Sequence, residues 1–100
     1  MLTVPRIVAA QQNFFQTNAT KPVGFRIDQL KRLKKHLRSY ESFFNRAIYA
    51  DFGKSDFDTF GTEIGLLHVE IDEAIAKLSK WCKAKRVRTN LLNLPAKSFI

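Results

Sequence analysis

The stretch from Phe60 to Trp81, FGTEIGLLHVEIDEAIAKLSKW, carries the clearest periodic pattern in this sequence and decides its fold class. Its apolar residues recur at alternating steps of four and three, which places them on one face of an α-helix. These residues are Phe60, Ile64, Leu67, Ile71, Ala74, Leu78 and Trp81. We expect Ser55 or Asp56 to cap this helix and the helix to continue to about Lys83.

A first helix is predicted from about Val4 to Asn18, ahead of a polar segment that contains Pro22. Its apolar residues lie on one helical face, because two pairs of them are seven positions apart. They are Ile7, Val8, Phe14 and Phe15. Pro5 lies near the start of this helix, where its missing N–H costs no hydrogen bond.

A second helical segment is predicted from about Val23 to Phe52. Its apolar residues are Ile27, Leu30, Leu33, Leu37, Phe44, Ile48 and Phe52, with steps of three and four in its first half. Ser39 can cap a new helix within the segment, so we expect either a kink or two consecutive helices. Gly53 is a good helix stop, because glycine adopts the left-handed conformation at little cost.

The predicted fold class is therefore mainly α, with three to four amphipathic helices and a short extended C-terminal tail. We expect the long third helix to pack antiparallel to the second. The alternation after Val87 is poor, Pro95 stops any strand, and the segment Ser98–Ile100 could begin another. The chain ends on the apolar pair Phe99 and Ile100, which we interpret as a cut point inside a longer protein.

The composition limits the classes of protein that the chain can represent. With 100 residues, 45% of them hydrophobic, it is one domain or a piece of one and is not a disordered tail. A single cysteine excludes an internal disulfide and a zinc site built from cysteines. No apolar run approaches the ~20 residues that span a membrane, and the start lacks a long apolar secretory core. We therefore expect a soluble, cytoplasmic context.

The net charge of +8 lies mostly in the first half of the chain, which carries +7. One basic cluster comprises Arg26, Lys31, Arg32, Lys34, Lys35 and Arg38, and a second comprises Lys83, Lys85, Arg86 and Arg88. Such clusters can neutralise the phosphates of a nucleic acid. The spacing of the first cluster opposite the leucines is also typical of a solvated helix face, and we favour that interpretation. We regard contact with a membrane surface as unlikely.

Candidate catalytic groups are few. Cys82 has lysines on both sides, but His36 and His68 are distant in sequence, and we interpret Cys82 as a small, half-buried packing residue. The histidines and the cysteine lack the spacing of metal ligands. The tripeptide Gly53-Lys54-Ser55 is not a phosphate loop, because Ile48 occupies the place of the first glycine. We therefore assign no catalytic, cofactor-binding or metal-binding residue to these 100 positions.

One longer pattern is more specific. It consists of Phe25-Arg26, Gln29-Leu30, Leu33, Leu37, the run Ala47-Ile48-Tyr49-Ala50-Asp51-Phe52-Gly53-Lys54-Ser55, Glu63-Ile64, Glu70-Ile71, Leu78, Trp81, Val87 and the closing Pro95-Ala96-Lys97-Ser98-Phe99-Ile100. Over roughly residues 7–100 the chain resembles the N-terminal segment of an aldehyde dehydrogenase, and most closely the class 3 and fatty-aldehyde branch.

The resemblance implies a parent enzyme that oxidises aldehydes to carboxylic acids with NAD or NADP. In that family the nucleophilic cysteine, the basic glutamate and the asparagine that stabilises the oxyanion all lie far downstream, and Cys82 does not match the catalytic motif. Residues 1–86 would form the helical N-terminal part of the nucleotide-binding domain. Residues 87–100 would be an extended segment leading toward the oligomerisation strands of a homodimer, with the rest of the enzyme absent.

Two functions follow as alternatives. In the first, the chain is an N-terminal structural segment of an aldehyde dehydrogenase, inactive by itself, binding no cofactor or metal, and prone to self-associate through its exposed apolar helix faces. In the second, it is a stand-alone basic helical module that binds nucleic acid or another polyanion.

Overall fold

The structure is a computed structural model that describes residues 3–100. Its elements in chain order are α1 (Val4–Gln16), α2 (Val23–Ser39), α3 (Glu41–Phe52), α4 (Asp56–Thr59), a π-helical turn (Phe60–Ile64), α5 (Gly65–Trp81), β1 (Arg86–Val87), a 3₁₀ turn (Leu91–Asn93) and β2 (Ser98–Phe99). The predicted mainly α fold with a short C-terminal extended part is confirmed. Met1 and Leu2, which begin the predicted helical region 1–86, lie outside the described residues.

The connection that follows α1 is fixed by local hydrogen bonds. Thr17 Oγ1 donates to the carbonyl of Phe14 at 2.6 Å, and the backbone N–H of Ala19 donates to Thr17 Oγ1 at 3.3 Å. Asn18 has a positive φ of 62°, a conformation that asparagine tolerates better than most residues. This connection ends α1 at Gln16, two residues before the predicted end.

The segment from Val23 to Phe52 forms two consecutive helices, α2 and α3, which is one of the two arrangements expected from the sequence. They meet at Tyr40, whose φ of −107° and ψ of 16° depart from helical values. The predicted cap at Ser39 is wrong, because Ser39 is the last residue of α2 and its Oγ donates back to the carbonyl of Lys35 at 3.0 Å. The predicted stop at Gly53 is confirmed, with φ at 68° and its N–H bound to the carbonyl of Tyr49 at 2.8 Å.

The helix after Gly53 starts where the sequence predicts but contains an extra residue in one turn. Ser55 Oγ accepts a hydrogen bond from the N–H of Asp58 at 3.2 Å, which confirms the predicted cap. The N–H of Gly65 bonds to the carbonyl of Phe60, five residues back, which defines a π-helical turn. A Cβ atom on Gly65 would lie 2.5 Å from the Phe60 carbonyl oxygen, so this turn requires glycine at position 65.

The π-helical turn changes which side chains face the interior. Phe60 was predicted to lie on the packing face, yet 52% of it is exposed, and Thr59 is fully buried in its place. Thr59 and Ile64 are five residues apart, and the i→i+5 hydrogen bond of the π-helical turn brings this spacing toward one face. Ile64 and Ile71, 3% and 7% exposed, are buried on the predicted face, whereas Phe60 on the same predicted face is open in this chain.

α5 packs antiparallel to α2, as expected. Lys34 near the end of α2 pairs with Asp72 near the middle of α5. Leu30 and Leu33, earlier in α2, share a groove with Leu78, later in α5. Successive residues of the two helices therefore run in opposite directions along the contact.

The segment after α5 turns back on itself rather than running on as a simple extended tail. β1 and β2 pair antiparallel, with Arg86 opposite Phe99 and Val87 opposite Ser98. Lys85 and Ile100 exchange two backbone hydrogen bonds, at 2.8 and 2.9 Å. The alternation after Val87 is poor and Ser98–Ile100 was only a possible strand start, and the pairing of these two segments accounts for the folded-back course.

The molecule is extended for its length. Its radius of gyration is 19.9 Å and its principal extents are 61 × 35 × 23 Å, whereas a compact domain of 100 residues has a radius of about 13 Å. The chain exposes 8595 Å² to solvent, against about 5,800 Å² for a folded monomer of this mass. Among residues 3–100, no helix combines the length and apolar content needed to cross a membrane.

Candidate functional surface

Exposed apolar side chains are the dominant surface feature of the chain. Among residues 3–100, Ile64 and Ile71 are the only buried hydrophobic residues, whereas 21 large hydrophobic residues are exposed. The exposed ones include Val4, Val8, Phe14, Phe15, Leu33, Phe60, Leu67, Leu91 and Phe99. Isolated exposed apolar residues are normal, but an excess of this size on amphipathic helices marks surfaces that another chain segment or molecule covers.

An apolar groove forms where α2 crosses the C-terminal half of α5. Its volume is about 450 Å³, and it is lined by Thr20, Phe25, Arg26, Gln29, Leu30, Leu33 and Leu78. Phe25 at the rim contacts Phe14 of α1, with 6.4 Å between the ring centroids. Both leucines of α2 come from the face that the sequence predicts to pack, and Leu33 is still 48% exposed. This groove is larger than the two polar depressions described below.

The first basic cluster is partly neutralised within the fold. Lys34 pairs with Asp72 of α5, and Arg32 pairs with Asp28 one turn earlier at 2.9 Å. The hydrogen bond from Lys34 lowers the pKa of Asp72 below its usual range, and Arg38 adds a smaller effect of the same sign. Arg26, counted in the same cluster, donates to the backbone carbonyl of Lys21 at 2.9 Å. The cluster is thus divided among intramolecular partners, as in a solvated helix face.

Part of the first basic cluster also lines a shallow depression on α2. Lys31, Lys34, Lys35, Arg38 and Ser39 surround a depression of about 330 Å³. The second predicted cluster follows α5 and runs through β1, where Arg88 lines a separate depression of about 360 Å³ with Thr89, Asn90 and Leu91. The two clusters therefore line different depressions rather than one common basic groove.

Cys82 is exposed, so the prediction of a half-buried packing residue is wrong. It follows the last residue of α5, and its N–H bonds to the carbonyl of Leu78 at 3.0 Å. His36 stacks on Tyr40, with 6.3 Å between centroids. Within residues 3–100, no three or more His, Cys, Asp or Glu side chains form a group that could hold a metal ion.

The Gly53-Lys54-Ser55 tripeptide has a structural role. Lys54 Nζ pairs with Glu63 Oε1 at 2.5 Å and lies 5.9 Å from the ring centroid of Phe52. This pair ties the loop after α3 to the π-helical turn. Sequence reasoning missed the pair, because a partner nine residues away across a helix start produces no periodic signal.

The chain matches aldehyde dehydrogenases in sequence. It is 44% identical over 87 residues to the 4,4'-diaponeurosporen-aldehyde dehydrogenase of Staphylococcus aureus, covering 87% of this chain and 19% of the relative. It is 32% identical over 100 residues to the aldehyde dehydrogenase family 3 protein comG of Dictyostelium discoideum, covering 98% of this chain and 21% of the relative. No protein-family model matches. The chain thus spans about a fifth of the length of the curated relatives that it matches.

The fold gives the same result. The chain superimposes on the substrate-bound state of Staphylococcus aureus AldH with a TM-score of 0.87 and 38% identity, covering 99% of this chain and 22% of that one. Nothing in these comparisons supports the alternative of a nucleic-acid-binding module. The resemblance predicted from the sequence is confirmed, and the chain is a homologue of the N-terminal part of the aldehyde dehydrogenases, with family 3 members among its relatives.

Proposed function

We propose that this chain serves as the N-terminal structural segment of an NAD(P)-dependent aldehyde dehydrogenase. The observation that supports the proposal is the imbalance, within the described part of the chain, between two buried and 21 exposed large hydrophobic residues. A homologous segment that makes up about a fifth of an enzyme has the remaining four-fifths available to cover such faces.

The energetics favour a covered state. Covering a large apolar side chain contributes roughly 1.5–3 kcal/mol, and a small domain has only about 5–15 kcal/mol of net stability. A handful of uncovered side chains on α1, α2 and α5 therefore equals the whole stability of a unit of this size. We infer that packing against the rest of an enzyme stabilises these helices, and that the chain by itself self-associates through the same faces.

The proposed division of the chain follows the family resemblance. Residues 1–86 belong to the helical part of the nucleotide-binding domain, and residues 87–100 lead toward the strands that join subunits of a homodimer. The folded-back β1–β2 pair leaves Phe99 exposed at this end of the chain, which is consistent with a segment that continues into an interface. The proposal includes a cytoplasmic location for the enzyme.

The described residues do not fit a dinucleotide. Phosphate groups need backbone N–H donors at a glycine-rich turn that opens a helix. The glycine-containing loop before α4 instead places Asp56 and Asp58 in the first helical turn, where their carboxylates occupy the positive end of the helix dipole. The apolar groove has a single cation at its lining, Arg26, whose Nη2 is bound to a backbone carbonyl. The proposed role is therefore structural, and the cofactor belongs to the other parts of an enzyme.

The parent reaction would convert an aldehyde, water and NAD(P)⁺ to a carboxylate, NAD(P)H and protons. None of the family's catalytic groups is assigned to this chain. We expect the 100-residue chain, incubated with NAD and a medium-chain aldehyde, to give no NADH absorbance. Measurable NADH formation would contradict a purely structural role.

Complementation tests the structural role directly. The Staphylococcus aureus relative is expressed without the residues that match this chain, and the chain is supplied in trans by co-expression. Restored aldehyde-dependent NADH formation is expected. The variant Leu67→Glu, which places a charge on the exposed apolar face of α5, should lose this rescue, whereas Lys80→Ala, about 140° away around the helix, should keep it. A truncated relative that is fully active without the chain, or equal rescue by both variants, would refute the proposal.

A further inference from the structure

The last part of the chain carries positive charge that no acidic residue of its own balances. Residues 74–100 contain seven Lys or Arg and no Asp or Glu. Lys77 pairs with Glu73 at 2.5 Å, and none of the other six cations forms an ion pair among the described residues. The first basic cluster differs, because Asp28 and Asp72 each pair with one of its cations. The charge that follows α5 is therefore available to an external anion.

The pairing of β1 with β2 concentrates part of this charge on one face. Arg86 lies opposite Phe99, and one step further along both strands the same register places Arg88 opposite Lys97. Opposite residues of an antiparallel pair share a face, and so do alternate residues of one strand. These four residues therefore form one face, which we call the basic face. All four are exposed, whereas Val87 on the other face is half-buried.

The basic face is electrostatically unfavourable by itself. Arg88 and Lys97 are like charges directly opposite each other, which destabilises a strand pair. β1 and β2 are only two residues long, and so short a pair is marginal without further contacts. An anionic group between Arg88 and Lys97 would remove the repulsion and accept charge-assisted hydrogen bonds.

We propose that the basic face docks on a carboxylate-bearing surface of the remaining part of an aldehyde dehydrogenase, with Asp or Glu side chains opposite Arg86, Arg88 and Lys97. This inference rests on the proposed function, since it names the chemistry of one surface that receives the segment. A carboxylate matches the planar, bidentate donors of a guanidinium group. Charge pairs fix the register of an interface, so the basic face orients the segment on the enzyme while the apolar helix faces are covered.

A nucleic acid is the competing anion, because its phosphates suit arginines and a base could stack on Phe99. Binding of a single strand requires a basic path several nucleotides long. The two basic clusters of this chain line separate depressions instead. The segment also matches enzymes over most of its length. These observations favour protein carboxylates.

Co-purification with the truncated Staphylococcus aureus relative tests the proposal. One variant combines Arg86→Gln with Arg88→Gln, and its matched control combines Lys31→Gln with Lys35→Gln, which removes two exposed charges of α2 and gives the same net charge. Each chain is co-expressed with the tagged relative, and the ratio of chain to relative is measured together with NADH formation. We expect several-fold less of the arginine variant and an unchanged amount of the control. Added NaCl should reduce the amount of the unmodified chain more steeply than that of the arginine variant.

Arg88→Glu distinguishes a loss of docking from a loss of fold. A glutamate opposite Lys97 makes a favourable cross-strand pair and so stabilises the β1–β2 pairing. The same glutamate would face the proposed carboxylates with a like charge. We therefore expect Arg88→Glu to co-purify at least as poorly as the arginine variant. Recovery of co-purification would show that the arginines act within the fold, and would overturn the proposal.

Three further outcomes would overturn the proposal. They are equal co-purification of the arginine variant and its control, co-purification that does not depend on salt, and binding of a single-stranded DNA oligonucleotide at about 0.15 M NaCl that the arginine variant loses. Normal co-purification and NADH formation with every variant would refute this inference alone. Failure of the unmodified chain to co-purify would refute the proposed function and this inference together.

Discussion

The helices α1 and α5 are both amphipathic, but only α5 buries part of its apolar face. α5 contributes Ile71 to the core and packs against α2, whereas α1 has no buried residue, although its Phe14 contacts Phe25 of α2. Their sequences alone do not show this difference, because both have helical spacing of apolar residues. Amphipathic spacing predicts that a helix face will be covered, but it does not identify the segment that covers it.

Replacing a core isoleucine should show the largest contrast between the two helices. We expect Ile64→Ala to lower the free energy of unfolding by about 2–4 kcal/mol, because it opens a cavity at a side chain that is 3% exposed. Ile7→Ala makes the same chemical change on α1, where the residue is 41% exposed, and should change stability by at most about 0.5 kcal/mol. Urea unfolding followed by circular dichroism measures both. Similar losses would mean that α1 is packed as tightly as the centre.

Substitutions at two glycines of the long helix should have opposite signs. Gly65→Ala should destabilise by about 1–3 kcal/mol, since its methyl group would meet the Phe60 carbonyl oxygen at 2.5 Å in the π-helical turn. Gly61→Ala meets nothing within 4 Å and should stabilise by about 0.5–1 kcal/mol through helix propensity. Thermal melting of both variants distinguishes them. Stabilisation by both alanines would show that the helix is regular through residue 65.

Two threonines near the π-helical turn differ in burial and in hydrogen bonding, and their replacement by valine should differ accordingly. Thr59 is fully buried, and its hydroxyl has no hydrogen-bond partner among the described residues, so Thr59→Val should leave stability unchanged or raise it by up to about 1 kcal/mol. Thr62 Oγ1 donates to the carbonyl of Asp58 at 2.7 Å and is exposed, so Thr62→Val should lower stability by about 0.5–1 kcal/mol. A loss for Thr59→Val equal to that for Thr62→Val would indicate a bonded hydroxyl at position 59.

The smallest effect is expected from the ion pair that joins α2 to α5. The hydrogen bond from Lys34 lowers the pKa of Asp72 in the folded chain. The Lys34–Asp72 pair therefore stabilises the fold in full above the unfolded pKa of about 3.9, and this stabilisation is lost as the pH falls through the folded pKa. The stability difference between the unmodified chain and Asp72→Asn should therefore be small near neutral pH and disappear in acid. A difference that persists at the lowest pH would assign the effect to something other than the carboxylate charge.

Local chemistry made several features of the fold predictable from the sequence. The left-handed stop at Gly53 and the cap at Ser55 depend on one residue and its nearest neighbours, so the residue type was sufficient. The family resemblance also came from sequence order alone. The buried face was correct at Ile64 and Ile71, because the helix is regular from Gly65 onward.

The remaining features depend on geometry that residue spacing does not encode. A fixed step of 100° per residue does not reveal the π-helical turn, next to which Thr59 is fully buried. Ser39 has the residue type of a cap, but its hydroxyl bonds within α2. The exposure of Cys82 is a property of the tertiary arrangement.

The uncovered faces have a consequence for biosynthesis. In an enzyme about five times as long as this segment, its helices leave the ribosome first, and at roughly 5–20 residues per second the remainder takes tens of seconds to appear. Helices with mainly local hydrogen bonds form far faster than that. Their leucines and phenylalanines would therefore be accessible to chaperones throughout translation. The yield of active enzyme would then depend on chaperones that bind this first segment.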